Sequence, residues 1–244
     1  MKTLRTLMSL SVLAVMFSCT KSNSASEGYL TFSVETDEVI EDVTKGNVSD
    51  LTALPSKNDF ILDVKDASGS SFWSGKVSEW DPSTKVPFGE YTVNAVYGDL
   101  NEEGFDKPYF EGSKKFFIQG TERTSVSVNA SLANTAIRIS CTENLKNYYS
   151  DYTFRLERGN SVIATFPKGE TKAAFVDGYK VTVAGTLTTS GGVQKTFSKE
   201  YTNLNVATVY NVIFDIANVG GGSITISFND KVETVQLDDV ELND

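Results

Sequence analysis

Histidine is absent from this 244-residue chain, and cysteine is scarce, at two residues. Without imidazole there is no His-dependent triad, no His-ligated zinc, and no side chain whose ordinary pKa lies near neutrality. Five prolines and 18 glycines exclude a collagenous or low-complexity chain, and a hydrophobic content of 40% excludes a disordered one. Basic residues are in deficit: 22 Lys and Arg stand against 32 Asp and Glu, for a net charge of −10. Such a surface repels nucleic-acid phosphates and argues against that class of partner. The chain is long enough for one large domain or for two of about 100 residues, each with its own core.

Lys2 and Arg5 precede an apolar run from Leu7 to Phe17, which ends in Met16-Phe17-Ser18-Cys19. The run is roughly half of the ~20 residues that cross a bilayer, so it reads as a secretion signal over residues 1–18. A small residue directly before cysteine resembles the lipobox of bacterial lipoproteins, with Met16 where that pattern prefers Leu. The resemblance implies that Cys19 is acylated, palmitate-like chains included, and becomes the new N-terminus. Acyl chains anchor stably because each buried CH₂ contributes about 0.8 kcal/mol. Loss of residues 1–18 removes two positive charges, so the mature charge is −10 − 2 = −12. Residues 19–27, rich in Ser, Asn and Thr, read as a flexible tether. The expected address is the outer membrane, on either the cell surface or the periplasmic face.

After the tether, helical periodicity nearly vanishes and period-two runs recur. Phe60, Leu62 and Val64 share one face, as do Tyr91, Val93, Ala95 and Tyr97, then Tyr152, Phe154 and Leu156, and Val212, Phe214 and Ile216. Turn clusters such as Ala67-Ser68-Gly69-Ser70 and Ser190-Gly191-Gly192 separate them. One helical turn is expected, over Glu143 to Tyr149. The pattern predicts an all-β protein of two tandem antiparallel β-sandwich domains, residues 28–133 and 134–244. The halves align strand by strand, Phe60 with Tyr152 at an offset of 92, Tyr91 with Tyr179 at 88, and Val126 with Tyr210 at 84. Tyr91, after the turn glycine Gly89, is expected to close the sandwich edge with its hydroxyl in water. Cys141 falls on the face of Ile137 and Ile139, a core position with no base nearby to activate it.

The lipobox, the Ser/Asn tether, the first strand Gly28-Tyr29-Leu30-Thr31-Phe32 and the paired Gly-x-Tyr-x-Val strands together resemble the fimbrillin-like lipoproteins of Bacteroidetes. That group holds pilus subunits, pilus anchors and members of unknown function, with an Ig- or transthyretin-like sandwich fold. The resemblance implies no catalytic site and no cofactor, a membrane held through the N-terminal lipid, and other pilus or adhesin subunits as partners. It also implies a processing site. In fimbrillin-type pili a protease cuts after a basic residue in the loop behind the first strand, and a strand from the next subunit fills the groove. Here Lys45-Gly46 lies in the polar loop from Glu35 to Lys57, and cutting there would release Gly28 to Val34. A C-terminal hairpin, Ser223 to Phe228 and Val232 to Leu237, is either a donor element or the completion of its own domain.

Two other features bear on chemistry. In the acidic run to Asp106, Asp99, Asn101 and Glu103 sit at alternate positions before Gly104 as in a calcium loop, but Phe110 stands where the bidentate glutamate belongs, so a solvated acidic hairpin tip is expected and no metal. Trp73, Trp80, Tyr109 and Tyr148 are candidates for stacking on sugar rings of host or dietary glycans, against the reading that each is core or inter-domain packing. The expected function is therefore a non-enzymatic, lipid-anchored envelope protein in adhesion or pilus-like assembly. The alternative is a glycan-binding lipoprotein that assists polysaccharide capture.

Overall fold

In a computed structural model the described residues are 26–37, 49, 51–216, 223–228, 231–236 and 238–239. They are almost wholly β. The first eight strands are β1 (Glu27–Thr36), β2 (Ile61–Asp66), β3 (Ser71–Lys76), β4 (Lys85–Pro87), β5 (Gly89–Tyr97), β6 (Gly104–Phe105), β7 (Phe110–Ile118) and β8 (Arg123–Leu132). All but β6 form one sheet in the order β3-β2-β5-β7-β8-β1-β4. Strands β7 and β8 share only two register pairs, Phe110 with Leu132 and Glu111 with Ser131. There the sheet folds over, and its two arms enclose Leu30, Phe60, Leu62, Val93, Phe110 and Val128, all fully buried. Gly112 permits the fold, since a Cβ there would stand 2.1 Å from the Asn129 carbonyl oxygen.

The chain continues through β9 (Thr135–Cys141), α1 (Glu143–Tyr148), β10 (Tyr149–Arg158), β11 (Ser161–Pro167), β12 (Ala173–Val176), β13 (Lys180–Thr189), β14 (Gln194–Thr202), β15 (Val209–Ile216), β16 (Ser223–Phe228), β17 (Lys231–Gln236) and β18 (Asp238–Asp239). The α-helix, the one among the described residues, is the turn the sequence predicts. The Thr142 hydroxyl caps it by accepting from the Leu145 N–H. Two sheets result, β11-β10-β13-β14-β18 and β17-β16-β15-β9-β12-β6. The C-terminal hairpin β16–β17 pairs onto β15 and β18 onto β14, so it completes its own sheets rather than standing free.

Pairing repeats between the halves. Strand β1 lies parallel to β8 with Phe32 opposite Val126; β9 lies parallel to β15 with Ile137 opposite Tyr210. Leu62 faces Ala95, and Phe154 faces Gly185. Tyr91 faces Phe116, and Val181 faces Tyr201. Offsets thus fall along the chain: 105 for β1, 92 for β2, 90 for β5, 85 for β7 and 84 for β8. The expected offset of 88 at β5 is corrected to 90: Tyr91 corresponds to buried Val181, while Tyr179 precedes the strand and is 68% exposed. A slip of two leaves the side-chain alternation unchanged, so sequence pattern alone cannot detect it. Tyr91 is also corrected. It is buried, and its hydroxyl donates to the Pro87 carbonyl at 3.0 Å instead of to water.

Candidate functional site

The first strand has an asymmetric seat. Alternation in Leu30-Thr31-Phe32-Ser33-Val34 sends Leu30 and Val34 fully into the core, with Phe32 between them. On one side β8 pairs with β1 along eight residues, from Tyr29 opposite Arg123 to Thr36 opposite Ala130. On the other side β4 covers only Glu27 to Tyr29. Just beyond that cover the indole N–H of Trp80 donates to the Leu30 carbonyl at 2.9 Å. Phe32 then meets Trp80 edge-on at 5.1 Å and Phe116 edge-on at 6.2 Å, with Trp73 stacked at 6.5 Å. Trp73 and Trp80 meet edge-on at 5.0 Å. An aromatic clamp therefore replaces the missing strand partner. Farther along, Lys57 pairs with Glu35.

The aromatic candidates fall in three separate places. Trp80 is in the core and half-buried Trp73 packs on it, so the tryptophans take the core-packing alternative and clamp β1. Half-buried Tyr109 donates its hydroxyl to Glu111 at 3.3 Å. Half-buried Tyr148 packs edge-on against Tyr149 at 4.9 Å. Cys19 and Lys45 lie outside the described residues.

The acidic loop is corrected more fully. Instead of a solvated tip, it docks on the second half. Glu103 accepts from Arg158 Nη2 at 2.7 Å and from the Asp177 N–H at 2.8 Å, and Asp106 pairs with Lys172 at 2.7 Å. Between them β6 pairs with β12, and Phe105 meets Phe166 edge-on at 4.9 Å. Asp99 turns on itself: the Asn101 N–H at 2.9 Å holds its carboxyl below the usual carboxylate range. Buried Asn134 ties the joint, with Oδ1 accepting from the Tyr109 N–H at 3.2 Å and Nδ2 donating to the Lys107 carbonyl at 3.0 Å. Sequence reading missed this junction; the one signal was Gly104-Phe105, an apolar residue after a glycine inside an acidic run.

A small cavity of about 170 Å³ lies in the second half, lined by Ile139, Cys141, Tyr152, Phe154 and Phe166, with Lys146 and Glu170 at its wall. Cys141 is a free thiol on the Ile137–Ile139 face, and burial pushes it up to about 11. Burial, with the thiol beside it, pushes the Tyr152 hydroxyl up to about 12. The thiolate is the reactive form, so at pH 8 iodoacetamide should modify Cys141 about a hundredfold more slowly in the folded protein than after denaturation. Because both folded values are raised, the stability they contribute is complete below the unfolded thiol pKa and is lost as pH rises, through about 11 for the thiol and about 12 for the Tyr152 hydroxyl. Equal rates in the folded and unfolded states, measured by mass, would refute a sequestered thiol.

The model of the family described as a domain of unknown function, DUF4493, matches residues 26–244. No sequence among curated proteins matches the chain. Among solved structures the chain is similar to a candidate cell adhesion protein from Bacteroides eggerthii, at 11% identity over 88% of this chain and 97% of that one, with a TM-score of 0.45. It is similar to candidate polysaccharide binding proteins from Bacteroides thetaiotaomicron, at 13% identity, 86% and 99% coverage, and a TM-score of 0.44. It is also similar to the fimbrial anchor protein Mfa2 from Porphyromonas gingivalis, at 10% identity, 84% and 98% coverage, and a TM-score of 0.36.

Proposed function

We propose that this chain, which belongs to the DUF4493 family of unknown function, is a lipid-anchored protein of the bacterial envelope, dividing near Ala133–Asn134, with an adhesive or pilus-like structural role. The observation that carries the reading is the seat of β1. The strand begins eight residues after Cys19, supplies Leu30, Phe32 and Val34 to the core, and has a strand partner from Tyr29 to Thr36 on one side but only from Glu27 to Tyr29 on the other. A strand held in this way can leave as a unit, and the groove behind it would offer the β8 backbone and apolar pockets to a strand of another subunit. No helix among the described residues is long and apolar enough to cross a membrane; in this reading an acyl group on Cys19 supplies the attachment.

The test uses protein recovered from the membrane fraction of expressing cells. Its N-terminal peptide should begin at Cys19 and carry fatty acyl chains by mass spectrometry. Limited trypsin should cut after Lys45, and the cut protein should then form chains visible by size-exclusion chromatography and electron microscopy. A soluble, unacylated mature form sinks the anchor; cleavage without assembly sinks the pilus-like role.

A further inference from the structure

The two ends of the molecule differ in a way that the tether makes meaningful. Strand β8 runs from Arg123 to Leu132 and enters β9 after only Ala133 and Asn134, so the second half sits at the Leu132 end. Strand β1 is parallel to β8 and starts opposite Arg123, at the other pole. The turn from β4 to β5 and the turn from β7 to β8 gather at that pole, where Gly28 lies against Gly120 and Ile118. From Cys19 to Ser26 there are seven peptide links, which span about 25 Å at most.

At this pole two phenylalanines face water. Phe117, the penultimate residue of β7, is 60% exposed, and Phe88 is 37% exposed. Phe88 is joined to the tether itself, because its N–H donates to the Ser26 carbonyl at 2.8 Å. Charges here are balanced in an otherwise acidic protein: Lys85 pairs with Glu27 and Lys115 with Glu90, each at 3.7 Å, and Arg123 follows Glu122. Anionic headgroups would therefore meet no excess of negative charge at the one end that the tether holds near them.

We infer that this pole is a membrane-contacting surface: Phe88 and Phe117 enter the headgroup region of the leaflet that holds the lipid, and the second half points away from it. Aromatic rings suit that depth, and lysine stems beside them can reach outward to the phosphates. The occupant is a lipid surface, chosen because the chain outside the described fold is short and ends at a cysteine proposed to carry acyl groups. The inference rests on the anchoring proposed above.

The test places a photoreactive benzoyl-phenylalanine at Phe88, Phe117 or Val193 in the full-length chain expressed in a bacterial host. Val193 lies in the β13–β14 hairpin at the opposite pole and is 49% exposed, so it controls for simple exposure. Irradiated membranes should yield phospholipid adducts, read by mass, at positions 88 and 117 and not at 193. In the unacylated chain, Phe117→Ser should weaken partition into phosphatidylethanolamine–phosphatidylglycerol vesicles about tenfold, as expected from returning part of one ring to water. The same spectra read Cys19. Acylated protein without lipid adducts at 117 overturns the contact and leaves the anchor intact. Adducts at 117 on unacylated protein support the contact and overturn the anchor, and neither signal overturns both. A protein adduct at 117 also overturns the lipid contact.

Discussion

Phe175→Ala should destabilise the protein by about 3–5 kcal/mol, the usual cost of emptying a fully buried aromatic site. Every residue of β12, Ala173 to Val176, is buried, which a strand achieves only when both its faces are covered. Ala174 and Val176 join the core of the second half. Ala173 and Phe175, with Ala136 and Val209, join the core of the first. Phe175 is thus the largest side chain that the second half contributes across the junction, and it stands opposite Ala136 on one side and Gly104 on the other. Its loss should do more than open a cavity. Urea unfolding should lose cooperativity and split into two steps as the halves uncouple. Phe214→Ala is the matched control: that ring stacks on Phe154 at 4.3 Å within the second core, so its removal should be as costly without affecting coupling at the junction. A cost below about 1.5 kcal/mol for Phe175→Ala would be that of an ordinary substitution and would refute the shared core.

This junction marks the limit of what the sequence discloses. Strands with strict alternation, such as Tyr91 to Tyr97, declare themselves because each buries one face and wets the other. The same logic places Cys141 with Ile137 and Ile139, and it exposes the repeat. Strand β12 declares nothing, because a four-residue apolar run buried on both faces has no alternation to read. Strand β6 is two residues long and exists only because β12 offers it an edge. Glu103 looks like a solvated acid until Arg158, 55 residues away, is brought to it by the fold. Gly185 and Phe197 show the same dependence on distant neighbours: they stand opposite each other on paired strands, and a Cβ at 185 would stand 2.2 Å from the Phe197 ring. The ring of Phe197 fills the space that the missing side chain at 185 leaves, a match no single position reveals. The tryptophans are legible as aromatic, but sequence leaves core packing and exposure as alternatives. Trp80 follows a short 3₁₀ turn, Val77–Glu79, that no periodicity announces, and that turn decides which way the indole faces.

Trp80 therefore gives the sharpest handle on β1. Two contributions can be separated there by two substitutions. Trp80→Phe keeps an aromatic ring against Phe32 but removes the N–H that the Leu30 carbonyl accepts, leaving a buried acceptor unpaired at a cost of about 1–3 kcal/mol. Trp80→Ala empties the site as well, for about 3–5 kcal/mol in all. The distribution of the effect matters more than its size. Since Trp80 touches β1 where β4 has ended, the loss should fall on local opening of β1 before it reaches global unfolding. Native-state hydrogen exchange should show amides of Thr31 to Val34 exchanging about tenfold faster or more in Trp80→Phe, a cost of about 1.4 kcal/mol, while those of β5 shift less. If β1 and β5 lose protection equally, the strand is one with its core and cannot leave alone, and exchange with a strand from another subunit loses its structural basis. If β1 alone is loosened, Trp80→Phe should also hasten any assembly that follows cleavage at Lys45, because the indole is then what holds the groove closed.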